Sequence, residues 1–428
     1  MTISSSLNAG VSGLSANASR LASISDNIAN SSTRGYKRVQ TDFHSMVLSG
    51  SGGSYSAGGV RTTNVRLIDE RGPLVSTNNA TDLAVRGRGM LPVASITEVE
   101  AGGSPTMMMT STGSFRTDSN GYLTTESGLV LMGWPANSDG TVPDYPRDTS
   151  SSLEPIHVDL NRLSAVPTTE ISLTANLPAD SAVVGTTDGP VDQVVTYYDN
   201  MGRAEDLTIT YTPTGAAANE WTMEIVDSAT GAAVISEYTL TFDDAGSTAG
   251  TLASVALVTG NAYDATAGSV TVNVASGPIE INIGTIGGEG LQQLGDEFVQ
   301  NSTTKDGNPV GTFVAVTVNE SGEVIATYDS GDERVIYQVP LVDVPNMNGM
   351  RALDSQTYMP TDESGAFYLW DAGDGPTSDI LGYAQEESAV DVATELTDMI
   401  QTQRAYSSNA KVIQTVDEML QETTNIKR

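Results

Sequence analysis

Apolar side chains recur at helical spacing near both ends of the 428-residue chain and at strand spacing between them. Near the start, gaps of mainly four and three residues connect a stripe that contains Leu7, Val11, Leu14, Leu21 and Ile28. Near the end, the same rhythm connects Leu396, Met399, Gln403, Tyr406, Ile413 and Leu420. Repeats of this kind favour helices that pair lengthwise. The pattern predicts a coiled coil between two terminal helices, although either stripe would also suit an amphipathic helix on a globular core.

The ends carry complementary charge, which supports their pairing. Residues 1–40 have a net charge of +3, and residues 386–428 have a net charge of −4. We expect the C-terminal helix to begin at about Ser388, with Asp391 three residues further on in the spacing of a capping box.

Between the ends the chain alternates apolar and polar residues, as strands do. The clearest runs are 208–211, 269–274, 279–283 and 312–318. Dipeptides typical of turns, such as Asn120-Gly121 and Asp306-Gly307, separate the runs. This spacing predicts β-sandwiches or small barrels, so the expected fold class is mainly β with terminal α-helices.

Breaks in composition divide this β region. A Gly/Ser-rich stretch at 49–59 suggests a linker or a long loop, and further breaks lie at 135–152 and 284–290. The length alone suggests about three domains. The breaks bracket an acidic middle, a pattern that one β domain inserted into a loop of another would produce.

Charge and composition exclude several classes of function. The formal net charge is −33, and residues 165–300 alone have a net charge of −17. Such a chain does not suit nucleic acid or an anionic membrane as a partner. With no cysteine and two histidines, it offers no thiol chemistry and little basis for a zinc site or a Ser-His-Asp hydrolase. We therefore expect no catalytic residues, no cofactor and no resident metal.

The acidic turn at 371–379 is the one place considered for calcium. It supplies carboxylates but lacks the alternating ligands and terminal Glu of an EF-hand loop, so a solvated acidic loop is the simpler interpretation. No signal-peptide pattern and no apolar run of membrane-spanning length are visible, which by itself favours a cytoplasmic protein.

Motifs at both ends resemble those of the bacterial flagellar rod and hook family. The N-terminal motif contains Asn27, Ile28, Ala29, Asn30, Gly35, Tyr36 and Lys37. The C-terminal motif contains Gln403, Arg404, Tyr406 and Asn409. The runs 169–178 and 195–208 resemble the outer domain of hook-type members, which the shorter rod-type members lack. The resemblance covers essentially the whole chain and is weakest at about 210–300.

The resemblance implies a domain plan. Residues 1–32 and 386–428 would form a helical coiled-coil domain on the inside of a tube, and 33–72 a connecting segment with a long hairpin or loop. Residues 73–164 and 291–385 would form an inner β domain, and 165–290 an outer β domain. The apolar stripes of the terminal helices would then be assembly surfaces.

The resemblance also implies a structural role. Family members of the hook type stack into a helical, curved tube that acts as a universal joint, transmits torque from rod to filament and lets exported proteins pass through its channel. The expected partners are further copies of the chain, the rod, the hook cap, the hook–filament junction proteins and the type III export apparatus. The expected location, which replaces the cytoplasm, is the extracellular flagellum, reached without a cleavable signal peptide. The alternatives are a distal rod subunit or, in a different class, a calcium-binding surface adhesin.

Overall fold

The computed structural model describes residues 3–47, 58–137, 140–159, 164–185, 188–231 and 233–426. The chain forms two compact units, each with its own apolar core. Unit 1 comprises Met1–Leu160, Val316–Ala326 and Arg334–Arg428, and unit 2 comprises Asn161–Ala315 and Thr327–Glu333, as far as these are described. The fold class is the expected one, mainly β with a helix near each end.

The first part of unit 1 contains, in chain order, α1 (Ile3–Ala29), β1 (Val39–Ser45), β2 (Val60–Arg66), β3 (Leu74–Ser76), β4 (Asp82–Val85), β5 (Leu91–Ser95), α2 (Ile96–Glu100), β6 (Met108–Thr110), β7 (Thr112–Ser114), β8 (Arg116–Thr117), β9 (Leu123–Thr124), β10 (Leu129–Pro135) and β11 (Glu154–Pro155).

The following strands belong to unit 2: β12 (Ser164–Val166), β13 (Glu170–Leu177), β14 (Val191–Tyr198), β15 (Ala204–Pro213), β16 (Glu220–Asp227), β17 (Val234–Phe242), β18 (Leu252–Thr259), β19 (Tyr263–Asp264), β20 (Ser269–Val274), β21 (Gly277–Asn282), β22 (Gln292–Gln293), β23 (Val299–Lys305) and β24 (Asn308–Gly311).

The remaining elements are β25 (Phe313–Val318), β26 (Glu323–Tyr328), β27 (Glu333–Gln338), β28 (Leu341–Asp343), β29 (Arg351–Ala352), β30 (Tyr358–Met359), β31 (Tyr368–Trp370), β32 (Ile380–Leu381), β33 (Ala384–Glu386) and α3 (Val392–Ile426).

Helix α3 begins later than the sequence predicts. The Asp391 carboxylate accepts hydrogen bonds from the backbone N–H groups of Ala393 (2.9 Å) and Thr394 (3.3 Å), so Asp391 is the N-cap and the expected cap at Ser388 is wrong. The bonds from Thr394 and Ala393 also hold the pKa of Asp391 below its usual value. The segment before it is tied to the turn after α1, because Ala389 N donates to Tyr36 O.

Strands β1 and β2 form an antiparallel hairpin that lies against α1. The register pairs Val39 with Arg66 and Ser45 with Val60. The Gly/Ser stretch expected to be a linker or loop lies, except for its last two residues, outside the described residues, and the hairpin fits the expected connecting segment on either side of it.

The β part of unit 1 consists of many short strands. Its main sheet has the order β25-β26-β27-β10-β5-β6-β30-β29. Strand β10 is apolar and almost wholly buried because it pairs in the middle of this sheet. The short strand β3 pairs antiparallel with β33, which brings the segment after the hairpin beside the segment that precedes α3.

Two sheets build unit 2 and share one apolar core. The first has the order β14-β15-β16-β17-β18, and the second has β19-β20-β21-β13-β22 with β23 also paired to β13. Buried and less buried residues alternate strictly along β13, β15 and β16, so one face of each strand enters the core. The predicted strands at 208–211, 269–274, 279–283 and 312–318 are confirmed, with ends shifted by one to a few residues.

The acidic unit extends beyond the boundary expected at residue 290. Strand β23 pairs antiparallel with β13 along most of its length, and Leu291 is buried in the shared core. Residues 291–315 therefore lie in unit 2 rather than with the inner β region. This long-range pairing leaves no mark in local composition, which is why the sequence pattern placed the break too early.

Candidate functional site

The two terminal helices pack against each other in antiparallel orientation. At one end Asn27 of α1 meets Glu395 of α3, with the amide Nδ2 donating to Glu395 Oε1 at 3.1 Å. Further along, Arg20 forms an ion pair with Asp398 at 3.3 Å. Towards the other end, a Cβ added to Gly13 would lie 2.9 Å from Asn409 Nδ2. The helix pair predicted from the terminal stripes is therefore present within one chain.

The seam between the helices includes Ile413 of the predicted C-terminal stripe, since a Cβ added to Gly10 would lie 3.1 Å from Ile413 Cγ1. None of the predicted stripe residues belongs to the buried class in the single chain. The buried helix positions are mostly small or polar: Ser5, Gly10, Ala16, Ser23, Ile24, Asn27, Glu395, Thr402 and Val416. Small residues allow the helices to approach closely, and the β1–β2 hairpin lies against α1 as well. Several larger apolar side chains therefore stay exposed.

Large apolar side chains are left exposed on the helix pair. Those predicted from the sequence are Val11, Leu396, Tyr406 and Leu420, between 38 and 51% exposed. Ile400 (51%), Val412 (45%) and Met419 (57%) are exposed as well. Of the other predicted residues, Gln403 is exposed, whereas Leu7, Leu14, Leu21, Ile28, Met399 and Ile413 are half-buried.

One groove gathers predicted residues from both helices. It has a volume of about 430 Å³ and a mainly apolar lining formed by Ala18, Leu21, Ala22, Ser25, Gln403 and Tyr406. The structure thus brings Leu21, Gln403 and Tyr406 together on one side of the pair. An open apolar groove of this kind is typical of a surface that receives another apolar side chain.

Asn27 of the N-terminal motif joins three segments. Asn27 is buried, and its side chain exchanges two hydrogen bonds with the backbone of Val39: Nδ2 donates to Val39 O and Oδ1 accepts from Val39 N, each at 2.9 Å. The amide thereby substitutes for a neighbouring strand at the start of β1. Because Nδ2 also reaches Glu395, the C-terminal end of α1, the hairpin and α3 meet at this one residue.

The remaining motif residues shape the turn after α1. Asn30 Nδ2 donates to Asp26 O at 2.9 Å and so satisfies a carbonyl at the helix end. Gly35 has φ +70°, and a Cβ there would lie 2.9 Å from Thr112 Cγ2, so both conformation and space favour glycine. Tyr36 is buried and donates to Asp26 Oδ2, and burial with the nearby Asp26 raises the pKa of Tyr36 to about 12.

Lys37 is fully buried in a cluster of charged groups. Its Nζ lies 2.6 Å from Glu386 Oε1 and 2.7 Å from Glu70 O. The Arg71 guanidinium lies on the other side of the same carboxylate, with Nη1 3.8 Å from Glu386 Oε2. Burial lowers the pKa of Lys37 to about 8, against the opposing attraction of Glu386.

A second carboxylate lies close by, at the first turn of α3. Glu395 is buried, and besides Asn27 it faces Arg38 Nη1 at 3.7 Å. Burial raises the pKa of Glu395 above its usual value. Arg38 also reaches the carboxylate of Glu70 at 3.3 Å. Two ion-pair clusters therefore lie where the chain enters and leaves the helix pair.

Sequence reasoning missed the partners of the motif. Glu386, Arg71 and Glu395 were not among the predicted site residues, since nothing in their local pattern marks them. A lysine at a buried position needs a carboxylate, so Lys37 in an otherwise buried turn was the available signal. Conversely, Ala29 and Arg404 are exposed and Ile28 is half-buried, and none of the three contacts the Lys37 cluster within the described interactions.

The acidic turn at 371–379 forms an ion pair and hydrogen bonds within the chain. Asp371 pairs with Arg147 at 2.7 Å, and the Thr377 hydroxyl donates to Asp374 O at 2.7 Å. Across the described ranges, no group of three or more His, Asp or Glu side chains is arranged to hold a metal ion. Among the described helices, none combines the length and apolar character needed to cross a membrane.

Comparisons with known proteins agree with the motifs at both ends. The chain matches the family models "Flagella basal body rod protein" at 7–37, "Flagellar basal body protein FlaE D2 domain" at 172–308 and "Flagellar basal body rod FlgEFG protein C-terminal" at 382–426. These matches define the class as that of flagellar axial proteins.

Full-length relatives identify the family within this class. The flagellar hook protein FlgE of Rhizobium meliloti is 34% identical over 436 residues, and that of Brucella suis is 33% identical over 438, with all of each chain covered. The flagellar hook protein FlgE of Salmonella typhimurium is 29% identical over 97% of this chain and 98% of its own. The chain belongs to the flagellar hook protein family.

The flagellar hook protein FlgE2 of Helicobacter pylori superposes with a TM-score of 0.45 at 12% identity, over 74% of this chain and 99% of its own.

Proposed function

We propose that this chain is the structural subunit of a bacterial flagellar hook, and that its copies assemble into a helical, curved tube. The tube acts as a universal joint that transmits torque from rod to filament and carries exported proteins through its channel. The observation that carries the proposal is the row of exposed apolar side chains on the terminal helices of a hook-family chain.

The helix pair is incomplete as a single-chain structure. The antiparallel seam covers one side of each helix, and Leu396 and Ile400 on α3 remain 47% and 51% exposed in the single chain. Exposed patches of this kind mark interaction surfaces in soluble proteins. We assign the uncovered side and the groove at Tyr406 to neighbouring copies, which would form the inner tube from residues 1–32 and 386–428.

In this proposal the β regions form the connecting segment, the inner domain and the outer domain. Residues 33–72 connect the helices to an inner β domain at 73–164 and 291–385, and the acidic 165–290 region forms the outer domain, with the structure extending its compact unit to residue 315. A net charge of −17 over 165–300 favours weak contacts between like units, since like charges repel. Bending of the tube would then cost little free energy in the contacts between outer domains.

Partners and location follow from the same proposal. Besides further copies, the chain would contact the rod, the hook cap, the hook–filament junction proteins and the type III export apparatus, outside the cell and without a cleavable signal. It would have no enzymatic activity, cofactor or resident metal, and no nucleic-acid or membrane partner.

Electron microscopy of the purified chain under assembly conditions tests the proposal. Curved tubes are expected. Straight rods would instead support a distal rod subunit, and the absence of any polymer, together with stability that depends on added calcium, would support a calcium-binding surface protein.

A substitution on the uncovered helix side sharpens this test. Ile400→Glu places a charge on an apolar side chain that is 51% exposed, so the single chain should fold normally while tube formation is lost. Val194→Glu in unit 2 is the matched control, because Val194 is 54% exposed but lies outside the helices. Tubes formed equally well by both variants, seen by sedimentation and microscopy, would contradict the assigned surface.

A further inference from the structure

The two chain segments that connect the helix pair to the β part of unit 1 run side by side. Gly35, after α1, donates its N–H to Glu386 O at 2.9 Å, and Ala389, before α3, donates its N–H to Tyr36 O at 3.0 Å. Both bonds lie beside the buried Lys37 side chain. Any change in the direction of the helix pair relative to this β part must pass through these few residues.

A third segment, residues 70–72, contacts Glu386 as well. Gly72 N donates to Glu386 Oε1 at 2.7 Å, and Arg71 Nη2 donates to Gly89 O at 2.7 Å. The carboxylate of Glu386, on the segment before α3, is thus held by Lys37 from the segment after α1 and by Gly72 from the third segment. Lys37 also donates to Glu70 O. The exposed fractions of the Lys37 and Glu386 side chains are 0% and 1%.

Two cations, Lys37 and Arg71, approach the carboxylate of Glu386, and the carboxylate of Asp69 attracts both of them. Arg71 Nη1 and Glu386 Oε2 are buried and have no hydrogen-bond partner within the described part of the chain. Burying the Lys37 ammonium is costly despite these counter-charges, because its side chain has no contact with solvent. The closed cluster therefore favours the neutral amine of Lys37.

We propose that Lys37, Arg71 and Glu386 are positioning residues that form a proton-linked lock between the helix pair and the β part of unit 1. The inference deepens the proposed hook function, since it names the element that fixes the helices for assembly. When the cluster is closed, both connecting segments are held, and when it opens, Lys37 and Glu386 become hydrated and the helices are free to change direction.

The direction of the pH effect follows from burial. The pKa of Lys37 is about 8 in the closed cluster and 10.5 when the amine is hydrated, so the open form binds the proton more tightly. Protonation therefore favours opening, and the lock tightens as pH rises from 7 towards 10. A neutral amine can still donate to both of its acceptors. The charged and titratable groups that face the cluster are Tyr36, Arg66, Asp69, Arg71, Tyr358 and Glu386.

Amide hydrogen exchange on the full-length chain tests the lock. The measured quantity is the protection of the Gly35 and Ala389 amides, each normalised to the intrinsic exchange rate at the same pH. In the unsubstituted chain, we expect protection to rise roughly tenfold or more between pH 7 and pH 9.5, as the two pKa values require. Protection that stays flat over this range would overturn the proton linkage.

Three variants separate the lock from a general change in stability. Lys37→Met keeps the apolar stem and leaves Arg71 balanced by Glu386, so it should abolish the rise with pH. Glu386→Gln removes the carboxylate that both buried cations approach and should reduce protection about tenfold or more at pH 7. Arg86→Met is the control, because Arg86 forms an exposed ion pair with Asp379 in the same unit. It should preserve both protection and its rise.

The outcomes distinguish this inference from the proposed function. A Lys37→Met chain with the same pH-dependent rise as the unsubstituted chain, or a Glu386→Gln chain with unchanged protection, would overturn the lock even if tubes form. If the unsubstituted chain forms no tubes, the hook proposal fails, while the exchange measurement on the single chain still decides on the lock.

Discussion

Asn27 shows how much one side chain can determine in this protein. Its amide pairs with the backbone of Val39 as a strand would and also donates to Glu395, so all of its main hydrogen-bonding groups are used. Because the side chain is buried, a group of different hydrogen-bonding character at this position would leave donors or acceptors unsatisfied.

Asn27→Asp is therefore expected to destabilise unit 1. The new carboxylate cannot donate to Val39 O, and it would lie against the carboxylate of Glu395. We expect a loss of about 2–4 kcal/mol in the free energy of unfolding, measured by urea denaturation with Trp134 and Trp370 as reporters. Asn8→Asp, at an exposed position of the same helix, is the control. A loss no greater than that of the control would show that the Asn27 contacts are dispensable.

At the level of single residues, the sequence was informative about which positions matter and less so about why. The motif marked Asn27, Asn30, Gly35, Tyr36 and Lys37, and the structure gives each a definite contact or conformation. Their partners could not be predicted, because Glu386 and Glu395 are distant in sequence. A local pattern identifies a buried polar side chain but not the group that satisfies it.

Among the secondary-structure elements, the helix pair most clearly separates what a pattern predicts from what packing decides. Apolar periodicity predicted two helices, and both exist with nearly the expected extent. It did not predict which helix positions are buried, because periodicity follows the largest apolar residues while the buried positions are mostly small or polar. Of the stripe residues, Ile413 packs against Gly10 in the seam, whereas Leu396 and Tyr406 are left exposed.

The close approach at Gly13 gives a test at this level. Gly13→Val would place new atoms where the Asn409 side chain lies, 2.9 Å from the position of the Cβ, so the Asn409 side chain must be displaced from the seam. We expect the free energy of unfolding to fall by about 1–3 kcal/mol. The change would appear as a lower melting temperature of the helices in circular dichroism at 222 nm. Ser15→Val, on an exposed position of α1, introduces the same β-branched residue away from the seam. Equal effects of the two changes would rule out a packing cause.

For the whole molecule, the insertion of unit 2 was predicted from composition, but its extent was not. Alternating strands and the acidic bias located it between the breaks at 135–152 and 284–290, and the resemblance implied the bounds 165–290. The structure adds β22, β23 and β24, because β23 pairs with β13 and because β12 pairs with β24 to bring the two ends of the inserted segment together. Pairings between strands this far apart depend on three-dimensional packing.

This closure predicts that unit 2 folds on its own. A fragment comprising 164–315 keeps both sheets and the shared core, and its single tryptophan, Trp221, is fully buried. We expect one cooperative urea transition with a blue-shifted Trp221 emission in the folded state. The shorter fragment 164–290 lacks β23 and should unfold at lower urea or fail to fold. Equal stability of the two fragments would place the boundary at 290 after all.

The pairing of β3 with β33, together with the bond from Gly35 to Glu386, has a consequence for the order in which the chain folds. The two terminal helices are almost as far apart in sequence as two elements of this chain can be, so their direct encounter would carry a large loop-closure entropy. Once the β part of unit 1 has formed, it holds the ends of both helices within a few residues of each other. Helix pairing then becomes a local step at high effective concentration, and we expect it to come last.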